Sequence, residues 1–114
     1  MDFAKIISEA LKEISDRGII VVEGWYDKTI NDTHITFCQL SDRTNNVSDD
    51  IEEDIEHIFQ VDIWSKKDEW KLKKEVKKLM LENDFGYISG ENFYEEETEI
   101  YHLALRFNYL EEVI

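Results

Sequence analysis

The chain has 114 residues and a formal net charge of −14, from 27 acidic against 13 basic residues, with 42% hydrophobic content. That length makes one domain, able to bury about two-thirds of the surface its unfolded chain exposes, so no disulfide or metal staple is required. The anionic balance argues against nucleic-acid or anionic-membrane binding through the general surface, since phosphate contacts need clustered Lys and Arg, which only the stretch 66–78 supplies.

The start, Met1-Asp2-Phe3-Ala4-Lys5, lacks the basic segment and apolar run of a signal peptide, and no stretch approaches the roughly 18 apolar residues of a membrane span. A soluble protein used without export is expected, and the lone Cys38 fits a reducing compartment. Phe3, Ile6, Ile7, Ala10, Leu11 and Ile14 recur at helical spacing. With Asp2 to cap and Gly18 to end it, the spacing predicts an amphipathic helix from Asp2 to Arg17. Ile19 to Tyr26, β-branched and aromatic, reads as a strand; the polar run Asp27 to Asp32 turns the chain. His34 to Leu40 alternates and is expected to pair with the strand before it.

Ser41 to Glu56 sets seven acidic residues against the single Arg43, which predicts a solvated, flexible loop. His57 to Trp64 is the third strand, with Phe59, Val61 and Ile63 on one face. Ser65 followed by Asp68 has the capping-box pattern for a second helix, whose apolar stripe is Leu72, Val76, Leu79 and Met80. Seven lysines between 66 and 78 against Asp68, Glu69 and Glu75 give that stretch +4, leaving −18 for the rest of the chain. Tyr87 to Phe93 and Thr98 to Leu110 close the chain as a strand pair around Glu95, Glu96 and Glu97, with Tyr101, Leu103, Leu105, Phe107 and Tyr109 sharing one face. The order α-β-β-loop-β-α-β-β predicts a single α+β domain over 1–114: two layers, a mainly antiparallel sheet with two helices on one face, and a flexible acidic loop at 41–56.

Chemistry is largely missing. His34, His57 and His102 lie on three different strands without metal-ligand spacing, and scattered strand histidines are usually surface groups. The acidic run lacks the alternating oxygen ligands and central glycine of a calcium loop. No GxSxG, GxGxxG or P-loop occurs, and Cys38 reads as a small core residue. No enzyme activity, cofactor or metal is expected. Trp25 and Trp64 read as core residues, whereas Trp70 falls off the apolar stripe of its helix and is a candidate interface anchor.

The strand Phe59-Gln60-Val61-Asp62-Ile63-Trp64-Ser65 running into a polar helix, a short hairpin and a final strand Tyr101-His102-Leu103-Ala104-Leu105-Arg106-Phe107 resembles the tail completion proteins of long-tailed bacteriophages, the tail terminators and tail-to-head joining proteins. The resemblance covers most of the chain. It implies a structural subunit without catalytic residues that forms a ring, commonly a hexamer, at the head-proximal end of the tail. Its partners would be further copies of itself, the tail tube protein and the head connector, and its place the virion head–tail junction, after assembly in the host cytoplasm.

The division of charge suggests which residues would form such contacts: Lys66, Lys67, Trp70, Lys73, Lys74 and Lys77 on a cationic side, with Asp49, Asp50, Glu52, Glu53 and Asp54 or Glu95, Glu96 and Glu97 on the anionic one. Opposite charges on separate surfaces fit head-to-tail association better than a self-facing patch. The alternative is an acidic interaction protein, such as a DNA mimic that occupies a host DNA-binding protein. A mimic needs carboxylates along a face at phosphate-like spacing, and a +4 helix spoils that field.

Overall fold

The computed structural model describes residues 1–45 and 54–112. The order is α1 (Phe3–Ala10), α2 (Lys12–Ser15), β1 (Ile20–Glu23), β2 (His34–Asn45), β3 (Asp54–Ser65), α3 (Trp70–Glu82), β4 (Gly86–Glu95) and β5 (Ile100–Glu112). The strands form one five-stranded sheet, β1-β2-β3-β5-β4, antiparallel except for β1 with β2. The α+β reading is thus the observed class.

Each element follows from its residues. The Asp2 carboxylate accepts a hydrogen bond from the Lys5 N–H at 3.1 Å and opens α1, satisfying one of the orphan donors of a helix start. The helix kinks at Leu11, for which the sequence offers no cause, yet backbone bonds from Leu11 to Ile7 and from Ser15 to Leu11 carry it through into α2. Gly18, at φ 93°, adopts the left-handed backbone that ends it. Ile35 and Phe37 of β2, Phe59, Val61 and Ile63 of β3, and Leu103, Leu105 and Phe107 of β5 form one face of the sheet. There they meet Ile7, Leu11 and Ile14 from α1–α2 and Leu72, Val76, Leu79 and Met80 from α3. These residues make the core. Arg17 also clamps α3 from the end of α2, donating twice to the Glu75 carboxylate at 2.7 and 2.6 Å.

Three expectations are corrected. First, β1 pairs with β2 as expected, but at the sheet edge and parallel to it, where a mainly antiparallel sheet implies the opposite direction. The connection between Glu23 and His34 crosses back along the strands; it begins at Gly24, whose N–H still bonds to the Phe37 carbonyl at 2.9 Å while its φ of 135° turns the chain out of β1. Second, Ser65 does not cap α3. Its backbone still pairs with Tyr101, and its hydroxyl accepts from the Lys67 N–H and lies 2.7 Å from the Thr33 hydroxyl. The chain needs Lys66 to Glu69 to rise from the sheet to the helix layer, so α3 starts at Trp70 with Glu69 at its cap position. Third, the strands invade both ends of the predicted acidic loop. Ser41–Asn45 extends β2 past a bulge at Leu40, and Asp54–Glu56 opens β3. The reason is Arg43, the one basic residue of that run. It lies opposite Glu56 and donates to it from Nε at 2.6 Å, while Asn108 of β5 donates to the other carboxylate oxygen at 2.8 Å. The remainder of the loop, 46–53, lies outside the described residues.

The hydrogen bond from Asn108 first, and that from Arg43 second, hold the Glu56 carboxyl below its ordinary value of 4.5. A depressed folded-state pKa contributes stability that is fully present above the unfolded value and is lost as pH falls through the folded one. Glu56→Gln should therefore destabilise the protein at about pH 7, with the gap from wild type closing toward about pH 3. Urea midpoints at the two pH values measure this. An equal gap at both would show that the charge of Glu56 contributes nothing.

Candidate assembly surfaces

Alternation along α3 buries Leu72, Val76, Leu79 and Met80 and leaves a cationic face outside. Its lysines are not equivalent. The Lys73 ammonium donates to Asn92 of β4 at 2.6 Å, Lys77 stands 4.0 Å over the Tyr87 ring, and Lys66 donates to the Thr98 carbonyl in the β4–β5 turn. Gly90 makes room for this docking, because a Cβ there would strike the Tyr87 hydroxyl and crowd Lys73. Lys71, Lys74 and Lys78 point outward. The first two flank Trp70, each ammonium 5.4 Å from its ring, and Trp70 is 52% exposed, as its place off the stripe predicts. Lys67 is also exposed. Leu81, also off the buried stripe, is exposed at the other end of the helix, so three lysines lie between two exposed apolar anchors.

The anionic candidates separate. Glu95 ends β4, and Glu96 and Glu97 occupy the turn to β5, the same turn whose Thr98 carbonyl binds Lys66. They thus flank the start of the cationic stretch within one subunit rather than opposing it from another side. Asp54 begins β3 opposite Asn45 and Glu112. Asp49, Asp50, Glu52 and Glu53 lie outside the described residues.

The face of the sheet away from the helices holds a buried cluster in which Trp64, expected in the core, is joined by histidines expected at the surface. His34, Trp64 and His102 lie in one row across β2, β3 and β5, and the β1–β2 connection folds Trp25 and Tyr26 onto them. His102 stacks on Trp64 at 3.7 Å and 12°, and its Nε2 is 2.5 Å from Asp62, which is fully buried. Gln60 donates to the same Asp62 oxygen at 2.8 Å and accepts from Arg106 Nε at 3.1 Å. Trp64 donates to the Thr36 hydroxyl at 2.9 Å. His34 is therefore buried rather than a surface group, and so is His57, which lies on the helix face 4.5 Å from the Phe3 ring and is held between Gln39 and Glu111 at 2.9 Å each. Trp25, expected in the core, is 55% exposed and instead walls a concavity of about 290 Å³ with Phe93, Glu91 and Arg106.

The Asp62–His102 pair has the composition of a hydrolytic dyad, but among the described residues no hydroxyl or thiol is hydrogen-bonded to His102, which nucleophilic catalysis requires. Cys38 is half-buried on this face rather than in the core, and burial, with Asp62 and Glu23 adding to it, pushes its thiol pKa up, away from thiolate chemistry. Among the described residues no three His, Cys, Asp or Glu side chains cluster to hold a metal ion, and no helix is long and apolar enough to cross a membrane.

No family model matches the sequence, and no curated protein matches it closely enough to count as a relative. Among solved structures the chain is similar to one in the virion of the native gene transfer agent particle, with a TM-score of 0.63 and 11% identity, covering 94% of this chain and 92% of that one. At that identity the likeness is one of fold.

Proposed function

We propose that this chain is a structural virion protein of a phage-like particle: a tail completion subunit that closes into a ring at the head-proximal end of the tail and joins it to the head. The observation that carries the reading is the fold likeness to a virion chain over nearly the whole length of both proteins. The split charge supports the ring, since a cationic α3 and an otherwise anionic subunit can meet head to tail, and a closed ring satisfies every copy alike. Its partners are further copies of itself, the tail tube and the head connector; the protein forms in the host cytoplasm and ends in the virion.

Contacts between exposed charges are individually worth about 0–1 kcal/mol and are screened beyond about 10 Å at 0.1 M salt. The mass in solution should accordingly fall toward that of the 13.6 kDa subunit as salt rises, and tails lacking the protein should regain head joining when it is added. Sedimentation across a salt series and a tail complementation assay provide the check. A subunit that stays monomeric at low salt and never restores joining would refute the reading.

A further inference from the structure

The two edges of the sheet are open and unlike. Among the described residues β4 pairs only with β5, and β1 only with β2. β4 is a ten-residue edge strand in which Phe93 and Tyr94 are about half exposed, and the whole chain contains no proline. Long apolar edges without proline are templates for another strand, and proteins leave them bare only at a cost in solubility. β1, at the other edge, exposes Ile20 and Val22 to a similar degree.

Geometry selects the occupant. β2 runs with β1, β3 against β2, β5 against β3 and β4 against β5, so β4 runs opposite to β1. Two copies side by side in the same orientation therefore bring β4 of one against β1 of the next as an antiparallel pair, the more stable pairing. The register across the sheet places Ile20, His34, Trp64, His102 and Phe93 in one row, so the apolar residues at its two ends lie on the same face at opposite edges. Charge agrees. α3 packs on the β4 side, while residues 1–33, which pack on the β1 side, hold seven acidic against four basic residues, with Glu9, Glu13 and Asp16 exposed. Pairing β4 with another β4 would instead gather Glu91 and Glu95 of both copies at one seam, and like charges across a strand pair repel.

We propose that copies of this chain join edge to edge, β4 of one to β1 of the next with Phe93 beside Ile20 or Val22, so that the sheets of neighbouring subunits continue as one. This rests on the ring reading and deepens it: main-chain hydrogen bonds at the seam supply the contact that screened surface charges lack.

In a Cys38→Ser background, Phe93→Cys would be combined with Ile20→Cys or with Val22→Cys, all exposed sites, and the full chain oxidised mildly. A ladder of covalent species beyond the dimer on a non-reducing gel is expected from at least one double variant, and only background from each single variant. A strong dimer from Phe93→Cys alone would mean β4 against β4 and overturn the proposal. No ladder from either double variant, while sedimentation shows the parent assembled, would overturn the seam and leave the ring standing. No ladder and a parent monomeric at every concentration and salt would remove both.

Discussion

Reversing Lys71, Lys74 and Lys78 to Glu is expected to abolish assembly while leaving the subunit folded. These three side chains project from α3 away from the core, whereas Lys73, Lys77 and Lys66 are already engaged with Asn92, Tyr87 and the Thr98 carbonyl of their own subunit. A substitution of Lys73 or Lys77 would mix lost assembly with a disturbed α3–β4 contact. Each exposed ion pair contributes about 0–1 kcal/mol, and reversal adds repulsion to lost attraction. Three sites together should cost about 3 kcal/mol per interface, on the order of a hundredfold in association. Within the monomer the losses are the Lys71 and Lys74 contacts with the Trp70 ring, at most about 1 kcal/mol each, and the Lys78–Glu82 pair at 3.8 Å, worth a few tenths of a kcal/mol. Circular dichroism should then show an unchanged fold and sedimentation a monomer. A triple variant that assembles normally would show that α3 is a solvated helix face and that association rests on the sheet edges alone.

What the sequence makes legible depends on how each element is buried. β5 alternates without interruption because one of its faces is packed under α3, and every residue of the predicted apolar face from Leu103 to Phe107 is in the core. The second helix gives up its stripe but not its start, because Ser65 and Asp68 match a capping pattern that the sheet ladder overrides: Ser65 is still extended and paired with Tyr101. The direction of β1 is illegible in principle, since Ile20-Val21-Val22 has the same composition in a parallel or an antiparallel edge. The Trp64–His102–Asp62 cluster was missed for a related reason. Period-two alternation says only which residues oppose the core; it leaves His102 and Asp62 on the open face and does not say what else covers them, although Trp64 itself is buried as its type predicts. A signal was present in Trp25 and Tyr26, two aromatics at the mouth of a long connection, which are costly to leave bare. The exposure of Trp70 is readable from α3 periodicity, but which lysines are free is not, since Lys73, Lys77 and Lys66 are engaged by β4 and the β4–β5 turn, and the open edges of β1 and β4 appear only once strand order is known.

Phe59→Ala should cost the fold about 3–5 kcal/mol, the largest single-site loss expected here. Phe59 is 1% exposed in the central strand β3, with its ring 4.9 Å from Phe3 of α1 and 5.7 Å from Phe85, where α3 leads into β4. Phe3 and Phe85 in turn both meet Tyr109 edge to face, at 5.4 and 5.1 Å, so one cluster of rings holds the junction of both helical segments with the sheet. β3 is paired on both sides, at Gln39 and at Phe107, so its backbone cannot slide inward to fill the space. The cavity therefore persists, and its cost adds to the lost transfer energy. Domains of this size are stable by about 5–15 kcal/mol, so the variant should be marginal at room temperature rather than merely weakened. Phe93→Ala provides the contrast: the same atoms leave a residue that is 49% exposed, and its loss should stay below about 1 kcal/mol in the monomer while weakening the proposed seam. Urea unfolding of both variants in the salt-dispersed monomer decides the matter. Equal losses at the two positions would mean that the junction of Phe3, Phe59 and Phe85 is not where the helices are held to the sheet.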